Sequence, residues 1–510
     1  MSSSRRQLPF LRTPRRRLVT AAGAIAAVLV IALGGSLLIQ VTKSSPAGLP
    51  SGSVSAAPTL TPAPPASASV AKTTVVWFIG LGAGSQPNQL SAEADFVNHY
   101  NATNKDNIDL VLQIMCGCNA TETLTGDMEA GKGPDILGPV GIQGRADYSG
   151  YWLGLNDEIA KDKTDLSAYP PALLATFKNA AGQYEGLPYN EYPAFIFYNK
   201  DLFKAAGLPD LPTQVGQKYM GQEWTWDELA TIAKRLTVDT SGRKSTDPGF
   251  NPAKIKDYGF DAQWVNDLRR LGTAWGAGSY VATDGKTAQI PAVWEQAWNW
   301  YYDAMWASHV APTGAERGAA DMGGVAGTTV ATGRVAMDLA WAWTVSSFGP
   351  QDASGNPTPA SAYAHWNMGV LPSNNGVTTD PVDTDTFVIN KYSKVPDAAY
   401  KAMLAIMADP KLTAEYGGMP VAQSMQVAYF KTQQAVVDAQ FVDNTITWSV
   451  LNEMTKYAAS PTHQDPFPNY IKGTTDDQAF YTKLQTKPGL NLDTEIAKFK
   501  ATLQADFDAS

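Results

Sequence analysis

Residues 195–209 read Phe195-Ile196-Phe197-Tyr198-Asn199-Lys200-Asp201-Leu202-Phe203-Lys204-Ala205-Ala206-Gly207-Leu208-Pro209. An apolar run that stops at Asn-Lys-Asp describes a buried strand ending in turn residues, with a short helix after it. Asp201 is placed to cap that helix, because a carboxylate can accept the free N–H groups of a first turn. Gly207 is placed to end it, because glycine takes up the left-handed backbone found at helix C-termini. Just upstream stands Gly182-Gln183-Tyr184-Glu185-Gly186-Leu187-Pro188-Tyr189-Asn190, joined to the quoted stretch through Glu191, Tyr192, Pro193 and Ala194.

The same alternation runs through the preceding chain. Val75-Val76-Trp77-Phe78-Ile79 breaks off at Gly80-Leu81-Gly82-Ala83-Gly84, a strand entering a loop. A helix over 92–100, a strand over 108–115, a helix over about 122–130 and a strand at Pro134-Asp135-Ile136-Leu137 follow. Strands alternating with helices place the chain in the α/β class and predict a parallel sheet covered on both faces. Two further helices are expected at 226–236 and 293–306. In the second, Trp294, Trp298, Tyr301, Tyr302 and Met305 fall on one side, the pattern of a core-facing stripe.

The N-terminus is of another kind. Residues 1–43 carry seven basic side chains and no acid, which leaves 32 basic against 48 acidic residues in the remainder, a balance of −16. Such a body repels nucleic acid, and no nucleic-acid partner is expected. Leu18 to Ile39 is uncharged, and as a helix it would reach roughly 33 Å, enough to cross a bilayer core. With its arginines on one side only, residues 1–17 form a cytoplasmic basic tail, 18–41 a transmembrane anchor or signal segment, and 42–72 a Pro/Ala/Ser-rich linker. A cleaved leader and, through Arg15-Arg16-Arg17, twin-arginine export remain the competing readings.

The two central pieces around residues 182–209 resemble the signature of the sugar-binding, maltose-binding-like family 1 of extracellular solute-binding proteins. Other segments follow in that family's order. Gly131-Lys132-Gly133-Pro134-Asp135-Ile136 resembles its strand entry, Trp224-Thr225-Trp226-Asp227-Glu228-Leu229 a helix start, and Gly333-Arg334-Val335-Ala336-Met337 a later step. Gly369-Val370-Leu371-Pro372 and Gly418-Met419-Pro420 resemble its closing motifs. The resemblance spans about 74–460 and implies a type II periplasmic-binding-protein-like fold, with two lobes joined by hinge crossings around a ligand cleft. Lobe 1 would take 73–190 plus 372–420, and lobe 2 would take 191–371 plus 421–510. It further implies a monomeric, non-enzymatic sugar-binding protein without a cofactor. That protein would sit at the outer face of the membrane and serve ABC permease subunits driven by a separate ATPase.

A carbohydrate site pairs aromatic rings with carboxylates and amides, since sugars present C–H faces beside hydroxyls. Trp343 stands where the family places a stacking Trp, with Trp341 its neighbour. Tyr189, Asn190 and Tyr192 lie at a hinge crossing. Ser85, Gln86, Gln143 and Arg145 occupy loops that follow predicted strands, where glycines let a ligand approach the backbone. Trp264 with Gln263, and Asp383 with Asp385, complete the candidates. Each also has a plain reading as packing or turn.

Cys116 and Cys118 could pair only in a strained ring and make at most half a metal site, so no metal is assigned. With four histidines and neither HExxH nor G-x-S-x-G, no catalytic constellation stands out. A glycoside hydrolase, which needs only two carboxylates, and a tethered carbohydrate receptor remain the alternatives.

Overall fold

The computed structural model describes Leu37–Leu38 and residues 71–84, 87–114, 120–141, 146–179, 181–262, 268–322, 329–347, 365–440 and 445–510. The expected anchor or signal segment at 18–41 lies outside these residues apart from the two leucines. Cys116 and Cys118 lie outside them too. No helix among the described residues is long and apolar enough to cross a membrane.

Thr73–Ile79 (β1) leads through Pro87–Thr103 (α1) to Ile108–Ile114 (β2), and through Ala120–Glu129 (α2) to Ile136–Val140 (β3). Both β2 and β3 pair in parallel with β1, which is why helical crossovers join them. Leu187–Tyr192 (β4) then passes through Pro193 directly into Ala194–Asn199 (β5), which ends at Lys200–Ala205 (α3). Asn199 caps α3, its side chain accepting from the Asp201 and Leu202 N–H groups, whereas Asp201 sits inside the first turn. Amide and carboxylate are equivalent caps, so the cap moved to the first residue whose backbone was still extended. Gly207 closes the helix at φ +66° as expected.

Trp226–Leu236 (α4) is capped by Thr225, which accepts from the Glu228 N–H. Leu268–Thr273 (α5), Ala292–Trp306 (α6), Met337–Trp341 (β6) and Trp366–Gly369 (β7) follow. The aromatic stripe on α6 is buried throughout. The chain returns with Asp383–Ile389 (β8), Pro396–Met407 (α7), Pro410–Tyr416 (α8) and Met419–Pro420 (β9). It ends with Gln423–Gln440 (α9), Tyr470–Thr486 (α10) and Leu492–Asp508 (α11).

The larger sheet runs β2-β1-β3-β8-β4-β9 and is mixed, not wholly parallel as the alternation predicted. Its second half is antiparallel because β8 enters between β3 and β4 running against both. A second sheet, β7-β5-β6, is antiparallel.

Alternation along the strands gives the larger sheet two apolar faces. Trp77, Ile136 and Phe387 meet Tyr400 and Ile406 of α7 on one, while Phe78, Leu137 and Val388 meet Tyr148 and Trp152 on the other. The second sheet has a separate, larger core built around Trp226, Trp294, Trp298, Trp341 and Trp366. The chain passes between the two groups at Tyr192–Ala194, again where Asp380 leads into β8, and again after β9.

Candidate functional site

Side chains of β4 alternate across the first two passages. Tyr189 points into the core of the larger sheet, edge-on to Phe387 at 5.1 Å and with its hydroxyl 2.8 Å from Thr413 Oγ1. Asn190 and Tyr192 take the opposite face, where the Tyr192 hydroxyl donates to Asp385 Oδ2 at 2.9 Å and the Asn190 amide is wholly buried. Gly418 lies against this pair. A β-carbon there would come within 2.5–2.7 Å of Asn190 Cβ and the Tyr192 phenol, so only glycine lets β9 approach.

Asp383 opens β8 opposite Tyr192. Its Oδ2 accepts from Arg270 Nη2 at 2.9 Å and its Oδ1 faces His463 Nε2 at 2.7 Å, with Trp343 as a further hydrogen-bond partner. The Arg270 guanidinium lies 5.0 Å from the Trp341 ring, and Trp341 stacks on Trp343 at 6.3 Å with the planes 5° apart. Trp341 is fully buried and anchored through Nε1 to the Pro381 carbonyl at 2.7 Å, while Trp343 is only half-buried. Trp341, Trp343, Asp383 and Tyr192 are thus gathered at the passages between the two groups. Tyr189 packs behind them. Ser85, Gln86, Gln143, Arg145, Gln263 and Trp264 lie outside the described residues.

Burial pushes the Asp383 carboxyl up, but Arg270, His463 and Trp343 outweigh it and hold it below the usual carboxylate range. Its neighbours go the other way. Burial raises Asp385 to about 7 despite the Tyr192 hydrogen bond, and raises Glu191 to about 7. Asp380, fully buried, goes well above its normal value even though its Oδ1 accepts from the Ala194 N–H at 2.9 Å. The passages therefore hold one acid that favours the ionised form, one that favours the neutral form and two that are close to evenly divided near pH 7.

A cavity of about 570 Å³ adjoins this region, with Asp147 and Ser149 on one side and Pro466, Phe467, Tyr470 and Ile471 on the other. Arg269 backs the second wall, donating to the Tyr470 hydroxyl at 3.2 Å with its guanidinium 5.1 Å from both the Phe467 and Tyr470 rings. Burial raises Asp147 to about 6, partly offset by the Arg269 charge. Arg269 and Arg270, adjacent on α5, thus face the cavity wall and Asp383 respectively. Sequence reasoning passed over Arg269, Arg270, Asp147 and His463. The one local signal was a pair of arginines between apolar Leu268 and Leu271.

A family model described as bacterial extracellular solute-binding protein matches residues 83–411. Among solved structures, UspC of M. tuberculosis is similar at 20% identity and a TM-score of 0.59, over 85% of this chain and 100% of that one. An ABC substrate-binding protein of Listeria monocytogenes, solved with cycloalternan, is similar at 19% identity and a TM-score of 0.60, over 85% and 99%. The sugar-binding protein MalE of Xanthomonas citri follows at 17% and 0.58, over 86% and 98%. Two sheets with separate cores, three chain passages between them and polar and aromatic groups gathered there are the anatomy of the type II periplasmic sugar-binding fold. With the family model covering more than half of its length, the chain belongs to the bacterial extracellular solute-binding proteins.

Proposed function

We propose that this protein captures an uncharged oligosaccharide between two lobes and hands it to an ABC-type import permease. The reading rests on one observation above the rest. A half-buried indole, Trp343, lies stacked on a fixed one beside a carboxylate pinned by Arg270 and His463, at the passages between the groups. Trp343 offers an indole for sugar C–H groups, and Asp383 offers a partner for hydroxyls. Similar structures solved with cycloalternan and with maltotriose, and one of a cyclic α-maltosyl-1,6-maltose binding protein, support a saccharide of more than one ring, whereas two others were solved with α-D-tagatose and with ribitol. Among the described residues, the two cations near the site, Arg269 and Arg270, are already engaged, which leaves little there to attract an anionic sugar.

Lobe 1 comprises the larger sheet and its helices, and lobe 2 comprises the remainder. A sugar touching both would favour the closed form by its differential affinity, and the permease would read that form. The ligand leaves chemically unchanged and the protein acts as a monomer. Residues 18–41 hold the chain at the outer membrane face, or direct its export if they are removed.

Titrating the purified chain with mono- and oligosaccharides, followed by tryptophan fluorescence and melting temperature, tests the reading. A saturable response to an oligosaccharide, recovered intact by chromatography, is expected. A response confined to peptides or polyamines, or recovery of shortened saccharide, would overturn it.

A further inference from the structure

Glu93, on α1, is wholly buried, yet only half of its carboxyl is engaged. Oε1 accepts from the Tyr416 hydroxyl at 2.8 Å, and Oε2 has no partner. The loop leaving β1 rests on it. At Gly84, where φ is +101°, a β-carbon would stand 2.7 Å from Glu93 Oε1. The Gly84 N–H donates to Gln89 Oε1 at 2.9 Å, and Gln89 Nε2 donates to the Glu415 carbonyl at 3.2 Å. Both ties end on the last turn of α8. That helix is joined to the crossing strand β4 by the Thr413–Tyr189 hydrogen bond and by Tyr416 packed edge-on to Tyr189 at 6.0 Å. A buried oxygen without a partner is costly, and such groups persist where something other than stability holds them.

We propose that Glu93 is a positioning residue for ligand capture, bridging Gly84 and Tyr416 so that the loop after β1 is held in one conformation relative to the β4 crossing. The proposal rests on the cleft-binding reading above. Among the described residues no cation pairs with Glu93, so ionisation would bury an uncompensated charge against Gly84 even though the Tyr416 hydrogen bond favours the charged form. Burial favours the neutral form, raising Glu93 from 4.5 to about 8 against the opposing Tyr416 hydrogen bond. The titratable groups facing it are Tyr416 from α8 and Tyr189 from β4, both raised well above the phenol range by burial. Asp385 from β8, raised to about 7, stands behind them. Because these ranges overlap, and Glu191 is also raised to about 7, the substitutions and not the pH alone separate the contribution of Glu93 from that of Asp385.

The test measures oligosaccharide affinity of the full chain from pH 6 to 9.5 for the wild type, Glu93→Gln, Asp385→Asn and Tyr416→Phe. Hydrogen exchange at the Gly84 amide is followed in the same proteins without ligand. If only the neutral form is competent, wild-type affinity is about tenfold weaker at pH 9 than at pH 7. Glu93→Gln flattens that fall, and Asp385→Asn keeps it. Tyr416→Phe moves its midpoint to higher pH, because the lost hydrogen bond had lowered the Glu93 pKa. Gly84 protection, taken relative to Glu93→Gln at each pH, declines over the same interval. Superimposable wild-type and Glu93→Gln profiles overturn the proposal, as does an unmoved midpoint in Tyr416→Phe should Glu93→Gln fail to fold. If no saccharide binds at any pH, the ligand reading fails by itself. The exchange data then decide alone, with a decline supporting the Glu93 bridge and a constant protection overturning it.

Discussion

Trp341 and Trp343 are two residues apart and stacked, yet they stand in different environments. Trp341 is sealed beneath Arg270 and tied to Pro381, so its replacement would disturb the core. Trp343 is only half-buried. Trp343→Ala is expected to weaken oligosaccharide binding by at least about tenfold while leaving the melting transition cooperative, as titration calorimetry and thermal unfolding would show. Asp383→Ala should weaken binding too, and should in addition act on stability. It strands Arg270 in a site where both side chains are almost fully buried, a loss of about 3–5 kcal/mol measurable by urea unfolding. The placement of Trp343 and Asp383 at the passages was legible because a motif and a strand start stand close by in sequence. His463 was not, since eighty residues separate it from Asp383 and nothing in Pro461-Thr462-His463-Gln464 marks the ring as buried.

Elements read locally came out close to expectation. The strand and helix around Tyr198–Gly207 and the aromatic stripe of α6 depend on neighbours within a few residues, and periodicity reports such neighbours well. The identity of a cap did not, because Asn199 and Asp201 are chemically interchangeable there. The direction of β8 was also beyond local reading, since nothing in Asp383–Ile389 states which strands will flank it. Gly418 joins the two levels. It resembles part of a closing motif in sequence, and in space it lets β9 seat on Asn190 and Tyr192. Gly418→Ala is expected to cost about 1–3 kcal/mol through overpacking, visible as a lowered urea midpoint with an unchanged slope. Full stability in that variant would show that β9 has room to shift.

At the scale of the molecule, several buried acids among the described residues are raised above their usual range. Glu93 is raised to about 8, Glu191 and Asp385 to about 7 and Asp147 to about 6, with Asp380 well above normal. For each, the folded protein holds its proton more tightly than the unfolded chain. The associated stability is therefore fully present below the unfolded pKa near 4 and is lost as pH rises through the folded values, between about 6 and 8. Asp383 has the opposite sign, and its contribution disappears as pH falls through its depressed value. Melting temperature should accordingly be highest in mildly acidic buffer and decline from about pH 5.5 to 8.5. A rise across that interval would show that these acids are ionised in the native state.

The insertion of β8 between β3 and β4 has a consequence for how the chain is made. Tyr192 and Asp383 are ladder partners although 190 residues intervene, so the larger sheet stays an open template until the strand that closes it has left the ribosome. Pairing over such a separation is slow. In any polypeptide exported before it folds, closure delayed in this way keeps the chain pliable until the last strand of the ladder has been delivered.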